Sequence, residues 1–112
     1  FDSVLSLCRN QHRRIVLALL TEEQRSLTLT DLIKTILTYN HQTPIAEASE
    51  DVITEVRRSL HHVHLPKLAS AGLINYDPER QLVEPTEQLD QVQPTLSPIF
   101  DADPTLEAPI EL

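Results

Sequence analysis

The chain has 112 residues, about one domain's worth, and its 40% of apolar residues and mean hydropathy of -0.21 are enough to bury a core. Its longest uninterrupted apolar run, the six residues Ile15 to Leu20, is far short of the ~18–20 a membrane span needs, and a lone Gly72 excludes glycine-rich phosphate loops. Charge is unevenly placed: residues 1–83 hold all nine Lys and Arg against ten Asp and Glu, a net charge of −1, whereas residues 84–112 hold seven acids and no Lys or Arg. A single cysteine, Cys8, allows no internal disulfide, and no basic and apolar leader precedes the fold, so the expected setting is a reducing cytoplasm.

In chain order, Asp2 or Ser3 is placed to cap a short first helix carrying Val4, Leu5, Leu7 and Cys8, and Asn10 to cap a second from about Gln11 to Glu22. Within the second, Ile15 to Leu20 is apolar on every face, which predicts a helix surrounded by other elements. Leu27-Thr28-Leu29 alternates like a short edge strand. Thr30 is then expected to cap a third helix whose Leu32, Ile33, Ile36 and Leu37 form one apolar stripe, fading near Asn40.

His41 to Ala48, with Pro44, reads as a loop, and Ser49 as the cap of a fourth helix with Glu50 and Asp51 in its first turn, where negative charge suits the helix dipole. At 100° per residue, Val52, Ile53, Val56, Leu60 and Val63 gather on one side and Asp51, Thr54, Arg58, His61 and His62 on the other, with Arg57 on the flank. Leu65 is one position out of phase, and Pro66 lacks an N–H, so the helix is expected to kink or restart there. Gly72 sits where a helix needs a residue with positive φ to stop. Leu73 to Tyr76 and Gln81 to Val83 then read as a hairpin around the type I turn Asp77-Pro78-Glu79-Arg80.

The expected fold is mostly α with a small antiparallel sheet, the connectivity of a winged helix-turn-helix over residues 1–83. Residues 84–112 carry five of the eight prolines, which predicts interrupted structure, an acidic tail beyond a boundary near Val83. Leu89, Val92, Leu96, Ile99, Phe100, Leu106 and Ile110 make that tail apolar enough to dock on its own domain or on a partner.

Arg13 to Leu20 is similar to the first core helix of the small ArsR and MarR winged-helix repressors, and Leu65-Pro66-Lys67-Leu68-Ala69-Ser70-Ala71-Gly72-Leu73-Ile74 resembles the segment where their recognition helix ends and their wing begins. With His64 to Leu68 and Asn75-Tyr76-Asp77, the closer resemblance is to uncharacterised haloarchaeal winged-helix domains. A halophilic source suits the excess of acids and the presence of only two lysines, Lys34 and Lys67, among the nine basic residues. The resemblance implies a homodimeric, cytoplasmic transcriptional regulator that binds double-stranded DNA, with the fourth helix in the major groove and the hairpin near the backbone.

The residues placed to do this are Thr54, Arg57, Arg58, His61 and His62 on the open helix face, with Lys67 and Arg80 as phosphate contacts. Arg13 and Arg14, flanking a buried helix, are expected to pair with nearby acids. His61 and His64 share a helix side at i, i+3, but no acid or cysteine lies at i+4 or i+7 to complete a metal site, and Cys8 with His12 is another two-ligand fragment. No metal, cofactor or catalytic role is assigned, and Cys8 on an apolar face is expected to be an inert thiol. The rival reading is a winged-helix protein-interaction module that does not bind DNA, for which the near-neutral core speaks.

Overall fold

The computed structural model describes residues 7–41 and 47–102. The expected first-helix residues Asp2 to Leu5, most of the loop around Pro44, and the tail residues Leu106 and Ile110 lie outside the described residues. In chain order the elements are α1 (Gln11–Glu23), β1 (Leu27–Thr28), α2 (Leu29–Ile36) continuing into a π-helical turn Leu37–His41, α3 (Glu50–Ser59), a second π turn Leu60–His64, α4 (Leu65–Ser70), β2 (Ile74–Asp77), β3 (Leu82–Pro85) and α5 (Glu87–Asp101). The fold is mostly α with a three-stranded antiparallel sheet of order β1-β3-β2, a winged-helix-like arrangement.

α1 starts where Asn10 accepts from the amides of His12 and Arg13. Its Ile15, Val16, Leu17, Leu19 and Leu20 are all buried, the fate of a helix with no polar face over that stretch. Arg13 and Arg14 both reach backbone carbonyls. Arg13 Nε donates to the Leu7 carbonyl at 2.8 Å and Arg14 Nη1 to the Cys8 carbonyl at 2.6 Å, so the two cations satisfy the backbone that leads into α1.

The cap of α2 is Thr28, not Thr30. The Thr28 hydroxyl accepts from the Asp31 amide while the Asp31 carboxylate accepts from the Thr28 amide, a reciprocal capping box, which ends the strand at Thr28 and puts Leu29 in the helix. Leu32, Ile33, Ile36 and Leu37 are buried as one stripe. β1 pairs only Leu27 with Val83 and Thr28 with Leu82, the short edge that its length foretells.

The expected break at Pro66 is instead a change of helical register. α-Helical bonding ends at Ser59 and resumes at Leu65, whose N–H bonds to the carbonyl of Leu60, five residues back, and Pro66 falls in the first turn of α4. The wide turn rotates the helix beyond it. Val63, expected in the core, is 43% exposed, and His64 is buried in its place. α4 then stops in a Schellman motif: the Gly72 amide bonds to the Ala69 carbonyl and the Leu73 amide to the Leu68 carbonyl, with Gly72 at φ 82° and both leucines buried.

The hairpin turn is stapled by Asp77, whose carboxylate accepts from the amides of Glu79 and Arg80, and Gln81, expected in the strand, instead closes the turn at φ 53°. Beyond it, the expectation that proline interrupts the acidic segment is overturned for residues 87–101. Thr86 caps α5, accepting from the Leu89 amide, and its hydroxyl also donates to the Gly72 carbonyl at 2.7 Å. Leu89 and Leu96 are buried in the same core as α1, with Val92, Ile99 and Phe100 packed against it. Pro94 and Pro98 lie on the outer face of α5, where carbonyls deprived of an N–H partner meet water.

Candidate nucleic-acid interface

α3, the π turn and α4 form one rod backed by α2 and ending at the hairpin. Ser49 caps it, accepting from the Val52 amide, and Val56 and Leu60 anchor its inner side. On its outer side Thr54, Arg57 and Arg58 are exposed, followed by His62 and Lys67, and Arg80 is exposed at the hairpin turn. Glu55 and Arg58, spaced i, i+3, do not form a surface pair. The side chains of Arg57, Arg58, Lys67 and Arg80 make no hydrogen bond or ion pair with any described residue.

The same surface carries carboxylates. Glu50, Asp51 and Glu55 are exposed near the start of α3, and Glu79 stands beside Arg80. Acidic side chains thus gather at the start of α3 and basic ones from Arg57 onward.

His61 does not stand free beside His62. Its Nδ1 is 2.6 Å from the Tyr76 hydroxyl on β2, which ties the rod to the hairpin. Burial, and then the adjacent Asp77, push the Tyr76 phenol up, so it stays protonated and able to donate to the imidazole. The His62 ring meets His61 edge-on at 4.7 Å. Sequence reasoning misses Tyr76, because a tyrosine alternating in a strand announces nothing about a helix 15 residues earlier.

His64 turns inward. It is 5% exposed, its Nδ1 has no hydrogen-bond partner among the described residues, and the His12 ring lies edge-on at 5.8 Å. Burial lowers its pKa to about 4, helped by the positive charge of Arg13, by His12 and by Lys67. The π turn thus sends His61 to Tyr76 and His64 to His12, dividing a pair expected on one side. No group of three or more His, Cys, Asp or Glu able to hold a metal ion occurs among the described residues. Cys8 is buried, and burial raises its thiol pKa against the opposing pull of Arg14 and Arg13, which keeps it protonated.

No helix among the described residues is long and apolar enough to cross a membrane. Residues 5–84 match the sequence profile of a family described as a domain of unknown function (DUF7344). No curated protein and no solved structure matches the chain.

Proposed function

We propose that this chain, which belongs to the DUF7344 family of domains of unknown function, is a DNA-binding transcriptional regulator that acts as a cytoplasmic homodimer. One observation carries the reading: Arg57, Arg58, Lys67 and Arg80 stay exposed without a described ion-pair partner, although residues 1–83 contain slightly more acids than bases. Unpaired arginines on a helix of winged-helix-like disposition are suited to guanine edges and phosphates. The resemblance to ArsR and MarR repressors and to haloarchaeal winged-helix domains supports the same reading.

Glu50 and Asp51 refine it. Their charge keeps the first turn of α3 away from phosphates, so the rod enters the major groove with its middle, at Thr54, Arg57 and Arg58, while Lys67 and Arg80 meet the backbone. His61 holds the hairpin in position through Tyr76, leaving His62 as the imidazole available to the DNA.

The test is binding of DNA from the protein's own upstream region, titrated over several salt concentrations. Arg57→Ala and Arg58→Ala are each expected to cost ~1–3 kcal/mol with relaxed preference at one base pair where the contact is to a base. A phosphate contact instead weakens all sequences alike and flattens the salt slope. Parental affinity in both variants would overturn the reading. The net charge of −1 over residues 1–83 favours the second reading in that event, a winged-helix protein-interaction module without DNA binding.

A further inference from the structure

An open groove of about 820 Å³ lies between Leu7 and the rod, with Leu7, Val63, Pro66 and Ala71 as its apolar lining and His62, Lys67 and Ser70 as its polar one. Val63 is the large apolar side chain that the described residues leave exposed, and no carboxylate among the described residues lines the groove. Such a surface suits a ligand that is apolar and acidic at once.

We propose that residues 103–112 of this same chain, Asp-Pro-Thr-Leu-Glu-Ala-Pro-Ile-Glu-Leu, dock in this groove. These residues lie outside the described ones, and their chemistry is complementary to it. Asp103, Glu107 and Glu111 recur every four residues, Leu106 and Ile110 fall between them, and no Lys or Arg dilutes the charge. Lys67 offers the acids an amine with no described ion pair, and Val63 and Pro66 offer the leucine and isoleucine an apolar surface.

The reach is sufficient. α5 begins beside the groove, where Gln88 Nε2 donates to the carbonyl of Ala71, a groove residue. Fifteen helical residues carry the chain about 22 Å from there. The ten residues after Ala102 span up to about 33–36 Å when extended, enough to return. Docking withholds His62 and Lys67 from phosphate, so the segment is an internal competitor of DNA. That consequence rests on the DNA-binding reading, whereas the docking does not.

Zero-length carbodiimide cross-linking of the full chain tests the docking without DNA, because Lys34 and Lys67 are the only lysines. The expected result is Lys67 joined to Glu107 or Glu111 within one chain. Val63→Ser, and separately the double variant Leu106→Ser with Ile110→Ser, should each lower that yield about fivefold while links from Lys34 persist. Val63 is exposed, and the second variant leaves the described core untouched. A Lys67 link to Asp2 assigns the groove to the segment before Leu7, and links found only between isotopically distinct chains assign it to a second copy. Either result overturns the proposal, as does a Lys67 link that is absent or indifferent to both variants.

Discussion

Two helical stretches of this protein contain proline, and they accommodate it differently. In the rod from Glu50 to Ser70, the inward-facing apolar residues run Val52, Val56, Leu60, Leu65, Leu68, with one step of five residues that His64 interrupts as the buried polar one. In α5 they run Leu89, Val92, Leu96, Ile99, steps of three and four throughout. A step of five keeps facing the core only if one turn widens, and the π turn Leu60–His64 is that widening, immediately before Pro66. Steps of three and four need no such turn, so α5 stays α-helical through Pro94 and Pro98. The spacing of buried residues sets the register, and proline decides only which hydrogen bonds are forgone.

The comparison breaks first if α5 is not truly part of the core. Leu96 is fully buried there, so Leu96→Ala is expected to cost ~2–5 kcal/mol in urea unfolding, with a single cooperative transition. A parental midpoint would mean that α5 is an appendage, and its proline tolerance would then say nothing about packed helices.

The rod's widened turn has its own signature in His64, which occupies the inward position that an unbroken α-helix would have given to Val63. Its pKa is depressed from 6.5 to about 4, so the folded state disfavours its protonated form. The unfolded chain therefore binds more protons between those values, and stability rises with pH there. The full contribution is present above 6.5 and is lost as pH falls to about 4, a loss of about 3 kcal/mol. Urea midpoints at pH 7 and pH 4.5 should diverge in the parent by more than in His64→Leu. Equal divergence would place the imidazole in solvent and remove the evidence for a rotated register.

Much of the fold is legible in the sequence where one residue type permits one solution. Asn10 and Ser49 cap the helices assigned to them, the apolar run from Ile15 fills the centre of the core, and Gly72 adopts the left-handed conformation that stops α4. Thr28 and Thr30 are chemically the same cap, and only the reach of Asp31 back to the Thr28 amide selects between them. The misplacement of Val63 has a visible cause: Leu65 is out of phase, but a break at Pro66 accounts for that as readily as a wide turn does. Residues 84–112 mislead because their five prolines outweigh, on the page, the regular apolar spacing that builds α5. At the candidate interface, exposure of Thr54, Arg57 and Arg58 accords with periodicity, whereas the tie from His61 to Tyr76 depends on how the hairpin folds back, which no local pattern contains.

The smallest effects sharpen the comparison most, because their signs differ. Pro94 lies inside α5, where its ring crowds the Asp90 carbonyl and the lost N–H breaks an α-helical bond. Proline costs ~3 kcal/mol relative to alanine in a helix interior, but it also restricts the unfolded chain, and the exposed face lets water replace the lost partner. Pro94→Ala should therefore stabilise the protein by about 1 kcal/mol. Pro66 occupies the first turn of α4, a position where a ring with fixed φ is already compatible with the helix and a missing N–H matters least. Pro66→Ala mainly frees the unfolded chain and should destabilise by ~0.4–1 kcal/mol. Urea midpoints for the two variants should thus move in opposite directions from the parent. If both rise, Pro66 interrupts α-helical bonding just as Pro94 does, and the wide turn is imposed by the proline. If Pro66→Ala falls while Pro94→Ala rises, the turn is dictated by the five-residue step from Leu60 to Leu65.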